Sequence, residues 1–139
     1  MIDLFPKAQV WIQKDEFNYY TREAKQQRGH DGNDELDEVS VIVKLNAQGR
    51  VRLVDGDAQE ILPGVTVYSG GRHTFASQYV AVTTKTGRVV IASDNLYLYE
   101  NLDKHVPIAQ TFDAKSNLAE QDRMKRLATS PRLDRKSVV

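Results

Sequence analysis

The stretch that decides the fold runs from residue 65 to residue 95 and reads VTVYSGGRHTFASQYVAVTTKTGRVVIASDN. It contains three segments rich in β-branched residues, separated by a Gly-Gly loop and a Thr-Gly turn, which is typical of antiparallel strands. The predicted strands are Val65–Tyr68, Ser77–Thr84 and Arg88–Ser93. Because Val89–Ala92 is continuously apolar, we expect the last strand to be covered on both faces.

The sequence before this stretch predicts a mixture of strands and helices. Ala8–Gln13 alternates apolar and polar residues and predicts a strand, and Asp15 is placed to cap a helix that extends to about Gln27. Glu35–Ala47 predicts a second helix, although the β-branched residues at 39–43 leave a strand as the alternative.

The sequence after this stretch predicts one further long helix. Asp113 is placed to cap it, and it extends to about Ala128. The side chains predicted to face inward are apolar: Ala114, Leu118, Met124 and Leu127. The predicted fold class is therefore α+β, with one mostly antiparallel sheet and helices on one face.

Composition excludes several classes of function. The 139 residues suit one domain, and the 19 basic and 19 acidic side chains cancel, which argues against a nucleic-acid-binding protein. Without cysteine the chain forms neither disulfides nor thiolate metal sites. No apolar run is long enough for a membrane span or signal peptide, so we expect no membrane partner and a cytoplasmic location.

Two residues at predicted strand ends are candidates for chemistry. His73 follows Gly70-Gly71 in a loop, and Asp94 directly follows the apolar strand. The two strands between them return the chain to the side where it began, so we expect both side chains at one rim of the sheet. An imidazole and a carboxylate suit zinc, iron or manganese. The alternative is an ordinary polar loop histidine and an Asp-Asn turn.

Other polar and aromatic residues are weaker candidates. Tyr97 would share a face with Asp94 if a helix starts there, although such tyrosines are more often packing residues. His30 lies in a polar, glycine-bearing loop, and His105 follows a predicted helix end, so we assign neither to a site.

The residues around these candidates resemble a known family. The segments Gly-Gly-Arg-His73-Thr-Phe-Ala-Ser-Gln-Tyr and Val-Val-Ile-Ala-Ser-Asp94-Asn-Leu-Tyr97-Leu-Tyr-Glu-Asn resemble metallo-β-lactamase-fold hydrolases, in their N-acyl homoserine lactonase-like branch. The likeness extends back to Leu4-Phe-Pro-Lys-Ala-Gln-Val-Trp-Ile-Gln-Lys-Asp-Glu-Phe17. The resemblance implies that His73 and Asp94 are metal ligands and that Tyr97 helps to bind the substrate carbonyl.

The sequence also departs from the family pattern. The H-x-H-x-D-H metal motif is absent, and Ser130-Pro-Arg-Leu133 stands where the family has a Pro-Gly-His ligand segment. We therefore expect a relative truncated at both ends, the C-terminal portion of an αββα sandwich. Residues 1–129 would form one partial domain, and residues 130–139 would form a flexible tail.

A partial sandwich has consequences for assembly and activity. The inner sheet face would be apolar and open, so we expect a homodimer through that face, with rearrangement into a smaller monomeric α+β domain as the alternative. We expect weak or no zinc binding and no hydrolase activity in the isolated chain. Two alternatives are a metal-dependent lactone or ester hydrolase completed across a dimer or by another chain, and a small-ligand binding module without metal.

Overall fold

The computed structural model describes residues 4–23 and 38–129. The predicted helix residues 24–27, His30 and the predicted tail at 130–139 lie outside the described residues. The chain divides into two compact units, the first ending at Asp55 and the second beginning at Gly56. This division does not test whether residues 1–129 form a single domain, and the single domain stays a prediction.

The first unit pairs two short parallel strands with helices. Strand β1 is Val10–Gln13 and pairs with β2, Val51–Val54, so that Val10 lies opposite Val51. Helix α1, Lys14–Asn18, continues as a π-helical turn at Tyr19–Glu23. Helix α2 is Glu38–Ala47, which confirms the helix and not the strand alternative at 39–43.

The side chain of Arg50 fastens the beginning of this first unit to the segment before β2. Its Nε donates to the carbonyl of Ala8 at 3.1 Å, and its Nη2 donates to the carbonyl of Phe5 at 2.7 Å. Lys14 and Asp55 form an exposed ion pair at 2.7 Å between the end of β1 and the end of β2. These contacts join residues distant in sequence at both ends of the parallel pair.

The second unit contains a four-stranded antiparallel sheet in the order β3-β4-β5-β6. The strands are β3, Gln59–Leu62; β4, Val65–Ser69; β5, Gln78–Thr84; and β6, Gly87–Ile91. Tyr68 lies opposite Tyr79, and Ala81 lies opposite Val90. Helices α3, Tyr99–Asp103, and α4, Ala114–Leu127, follow the sheet. The mixed helix and sheet class and the antiparallel pairing confirm the predicted fold class.

One face of this sheet is buried under α4. Tyr68, Tyr79, Ala81 and Val90 form a core cluster with Met124 of α4. The opposite face carries a block of β-branched apolar side chains, which we call the valine face: Val65, Val67, Val80, Val82, Val89 and Ile91. Leu62 and the polar Gln59, Ser69, Gln78 and Thr84 lie around this block on the same face. Val67 is buried, but Ile91 is 40% exposed. The expectation that Val89–Ala92 is covered on both faces is therefore wrong for Ile91.

Helix α4 begins as predicted but buries only some of the predicted side chains. The Asp113 carboxylate accepts from the backbone N–H groups of Lys115 and Ser116, so Asp113 is the predicted N-cap. The buried side chains are Asn117, Gln121 and Met124, whereas Ala114 is exposed and Leu118 is only half-buried. The prediction is confirmed for Met124, and Leu127 packs against the core, but it is wrong for Ala114. Polar residues occupy two central positions of the inner face.

An ionic cluster, formed by Asp57, Tyr79, Glu120 and Arg123, joins α4 to the sheet. The Tyr79 hydroxyl donates to Glu120 at 2.8 Å, and Arg123 donates to Asp57 at 2.7 Å. Burial, with the hydrogen bond to Glu120, raises the pKa of Tyr79 far above its usual value. The Arg123 guanidinium also lies 4.8 Å from the centre of the Tyr68 ring. Every member of this cluster has a polar partner.

Thr129, two residues after the end of α4, lies at the outer edge of the sheet. Arg88 in β6 donates its backbone N–H to the Thr129 hydroxyl at 2.7 Å, and its carbonyl accepts from the Thr129 N–H at 3.2 Å. Both outward-facing backbone groups of Arg88 are therefore paired. In the described part of the chain, no helix has the length and apolar character needed to cross a membrane.

Candidate functional site

His73 lies in the loop between β4 and β5, which is closed by Ser77. The Ser77 hydroxyl donates to the Gly70 carbonyl at 2.9 Å and accepts from the His73 N–H at 3.2 Å. Arg72 adopts a left-handed conformation with φ 48°, and Gly71 has φ 84°. These conformations turn the chain sharply before His73, and only glycine adopts them without strain. The loop thus holds His73 at one end of the sheet.

Asp94 lies in a single 3₁₀ turn, Ser93–Asn95, shortly after β6. The turn is entered through Ser93 at φ 53°, another left-handed residue. The Asn95 N–H donates to the Ala92 carbonyl at 3.3 Å, which closes the turn and leaves Asp94 exposed. The predicted strand-end aspartate is thus presented to the surface immediately beyond the sheet.

Tyr97 connects these two loops. Its ring meets the His73 ring edge to face, with ring centroids 6.0 Å apart and an interplanar angle of 79°. Burial and then the negative charge of Asp94 raise the pKa of Tyr97. Tyr97 is therefore in ring contact with His73 and lies near enough to Asp94 for that charge to act on it. It lies between the 3₁₀ turn and α3, and not in a helix with Asp94.

The backbone fold is similar to that of solved hydrolase structures. A B. thuringiensis AiiA variant with N-decanoyl-L-homoserine at its active site matches with TM-score 0.58 and 22% identity. A second match, with TM-score 0.63 and 19% identity, is the hydrolase AbOPH of the β-lactamase superfamily. This chain has a metallo-β-lactamase fold. No protein-family model and no curated protein matches the chain.

The metallo-β-lactamase fold is present here over part of its usual length. The matches cover 90% and 86% of this chain but 44% and 43% of the AiiA and AbOPH chains. A third match is an N-acyl homoserine lactone hydrolase with N-hexanoyl-L-homoserine at its catalytic metal centre, at TM-score 0.55 and 22% identity; 84% of this chain covers 41% of that one. The chain therefore spans less than half the length of the structures it matches.

The side chains at the rim fit a metal ion in type but not in number. An imidazole nitrogen and a carboxylate oxygen, from His73 and Asp94, are ligands that zinc accepts. In residues 4–23 and 38–129, no group of three histidine, cysteine, aspartate or glutamate side chains is arranged to hold a metal. A catalytic zinc normally has three protein ligands, so these two supply part of such a site.

His105, which the sequence left unassigned, lies elsewhere. Its Nε2 is 3.3 Å from the Asp122 carboxylate on α4 and 3.4 Å from the Leu118 carbonyl. His105 therefore packs against the helix and does not approach His73 in any contact of the described residues.

Sequence reasoning missed a set of buried carboxamides behind the rim, the amide cluster formed by Asn95, Asn117 and Gln121. All three side chains are at most 1% exposed. Asn117 donates to the Asn95 carbonyl at 3.1 Å and accepts from Gln121 at 3.0 Å. The available signal was the spacing of Asn117, Gln121 and Met124 on one helix face, which hydropathy alone does not mark as buried.

Proposed function

We propose that this chain supplies part of the site of a metal-dependent hydrolase of lactones or esters, and that the chain alone does not turn such substrates over. His73 and Asp94 would be metal ligands, and Tyr97 would bind the substrate. The observation that carries this proposal is the convergence of the three side chains: the His73–Tyr97 ring contact and the effect of the Asp94 charge on Tyr97. The matches to lactone hydrolases support the substrate class.

Each side chain has a distinct part in this proposal. A bound metal supplies a Lewis acid and lowers the pKa of bound water, which is the chemistry that lactone opening requires. His73 would hold it through a ring nitrogen and Asp94 through a carboxylate oxygen. The Tyr97 hydroxyl is able to donate a hydrogen bond to a carbonyl oxygen of a substrate.

The ligand number explains the proposed lack of independent activity. Two protein ligands leave a divalent ion held by half of the contacts typical of a closed site, so binding is expected to be weak. The third and further ligands would have to come from another polypeptide segment or from a second copy of this chain.

Zinc titration combined with a lactonase assay tests this proposal. We expect weak Zn²⁺ binding by the natural chain, its loss in His73→Ala and Asp94→Asn, and no hydrolysis of an N-acyl homoserine lactone by any of them. His105→Ala is the matched control, because it removes a histidine away from the rim. Turnover by the natural chain that His73→Ala abolishes would show that the chain is an enzyme by itself. Equal zinc affinity in the natural chain and His73→Ala would remove the metal assignment.

We also propose that a second copy of this chain covers the valine face. None of its six side chains is charged, so a two-fold arrangement would bring no like charges together. Ile91 at 40% exposure and the half-buried Val80 and Val82 leave apolar surface available. Such a dimer would also bring two partial metal sites into one particle.

Sedimentation analysis tests the dimer. We expect a concentration-dependent dimer for the natural chain and a monomer for Ile91→Lys, which places a charge in the face. Val106→Lys is the control, because Val106 is 42% exposed but lies outside the face. A natural chain that stays monomeric at high concentration, or a dimer unaffected by Ile91→Lys, would contradict the proposed interface.

A further inference from the structure

The loop that carries His73 is anchored to the segment that begins α4. The Thr111 hydroxyl donates to the Arg72 carbonyl at 3.0 Å and lies 3.3 Å from the Gly71 carbonyl. The Phe112 N–H donates to the Arg72 carbonyl at 2.8 Å. The two residues before His73 are therefore fixed by the two residues before the Asp113 cap.

The turn that carries Asp94 is anchored to the same helix. The Asn117 side chain donates to the Asn95 carbonyl at 3.1 Å. Its own oxygen accepts from the Ile108 N–H at 3.1 Å and from Gln121 at 3.0 Å, which fixes its orientation. The first turn of α4 and the residues before it thus form a common support for both loops.

Asn95 also joins the two loops directly, through its side chain. A Cβ atom built on Gly71 would overlap Oδ1 of Asn95, so the carboxamide fills the space next to the Gly71 backbone. The residue is 1% exposed, and within the described part of the chain neither Oδ1 nor Nδ2 has a hydrogen-bond partner. Because neither atom has a partner there, the contact with Gly71 is one of shape and not of hydrogen bonding. Such an unpaired buried carboxamide costs free energy.

We propose that Asn95 is a positioning residue whose side-chain volume sets the separation between His73 and Asp94. Asn95 follows Asp94 directly, and Gly71 lies two residues before His73. The contact between Asn95 and Gly71 therefore acts on the loop that carries His73 and on the turn that carries Asp94. The inference rests on the proposed function only in treating His73 and Asp94 as metal ligands. It predicts that the branched shape of Asn95 matters and its polar atoms do not.

Nuclear magnetic resonance of the metal-free chain tests the positioning role. The reporter is the set of cross-relaxation signals between the His73 and Tyr97 rings. We expect these signals to weaken in Asn95→Ala and to persist in Asn95→Leu, because leucine has nearly the same branched shape. Val90→Ala is the control for destabilisation alone, since Val90 is fully buried in the core, and it should leave the ring signals intact. Loss of the signals in Asn95→Leu as in Asn95→Ala would overturn the proposal.

Zinc affinity separates this inference from the proposed function. Residues that orient metal ligands change affinity by about 10- to 100-fold, so we expect such a loss in Asn95→Ala and none in Asn95→Leu. If His73→Ala abolishes zinc binding while Asn95→Ala changes neither affinity nor ring signals, the positioning role is wrong and the metal assignment stands. If His73→Ala leaves affinity unchanged but Asn95→Ala disturbs the ring signals, the metal assignment is wrong and the positioning role stands.

Discussion

Helix α4 carries two polar clusters that are built on opposite principles. The ionic cluster contains charged groups, is partly exposed, and pairs every member: Tyr79 with Glu120, and Arg123 with Asp57. The amide cluster is neutral and fully buried, yet leaves atoms of Asn95 and Gln121 without partners in the described part of the chain. The fully paired ionic cluster lies beside the sheet, and the partly paired amide cluster lies next to the loops of the candidate site. In the proposal above, the amide cluster bears on the geometry of the site, whereas the ionic cluster stabilises the packing of α4 on the sheet.

The largest expected effect comes from filling the space that Asn95 occupies. Gly71→Ala combines the overlap with Asn95 and the strain of φ 84°, and we expect a loss of about 3 kcal/mol in the free energy of unfolding. Gly64→Ala has a similar φ of 76° but only ordinary contacts at 3.6 Å with Thr83, so about 1 kcal/mol is expected. Urea unfolding measures both. Equal losses would mean that the contact with Asn95 imposes no packing constraint.

The contribution of the ionic cluster to the free energy of unfolding should depend on pH in the alkaline range. Because the folded-state pKa of Tyr79 is raised, the cluster's contribution is complete below the unfolded pKa near ~10 and is lost as pH rises above it. Above that pH, the free energy of unfolding of the natural chain should fall by up to about 1.4 kcal/mol per pH unit relative to that of Tyr79→Phe. Parallel pH profiles of unfolding free energy for the two proteins would contradict a buried, neutral Tyr79.

Removing the N-cap of α4 should lower the stability of the protein and disturb the His73–Tyr97 contact. Asp113→Ala removes the acceptor for the Lys115 and Ser116 N–H groups, and about 1 kcal/mol of stability should be lost. The His73–Tyr97 ring signals should weaken as well, because fraying of the first turn of α4 would loosen Thr111, which accepts from the backbone N–H of residue 113 and donates to the Arg72 carbonyl. Asp113→Asn, which keeps an acceptor oxygen, should behave almost like the natural chain. A loss of stability with unchanged ring signals would show that the Asp113 cap does not influence the His73–Tyr97 contact.

The smallest effect is expected at the exposed end of the ionic cluster. Burial raises the pKa of Asp57, but the hydrogen bonds from Arg123 and Ser69 outweigh it, and the net pKa is lowered. This contribution is present above the unfolded pKa of about 4 and is lost as pH falls through the folded value. Since the carboxylate is 46% exposed, Asp57→Asn should cost less than about 1 kcal/mol at neutral pH. The difference from the natural chain should disappear in acid, as thermal unfolding at several pH values would show.

Much of the second unit was predictable because its signals are local. Alternating β-branched residues and glycine turns predicted three of the sheet strands within two residues of their observed ends. The return of the chain between His73 and Asp94 followed from the same strands. Tyr97 was expected to reach the rim, and it does so by contact with His73 and not by sharing a helix with Asp94.

The missed features depend on packing between distant segments. Asn117 and Gln121 are buried because the Asn95 and Val106 carbonyls need donors, and those partners lie 22 and 15 residues away. Hydropathy therefore favoured Leu118, which is only half-buried. Likewise, the apolar run at Val89–Ala92 does not reveal that Ile91 lies on the less covered face of the sheet, because the coverage of a face depends on which other segments pack on it.

The bond pair between Arg88 and Thr129 bears on the solubility of the molecule. An outer strand with unpaired amide and carbonyl groups is a template on which other chains deposit as fibrils. Thr129 occupies both outward groups of Arg88 near the start of β6. One threonine after the last helix therefore leaves neither outward backbone group of Arg88 free to pair with a strand of another chain.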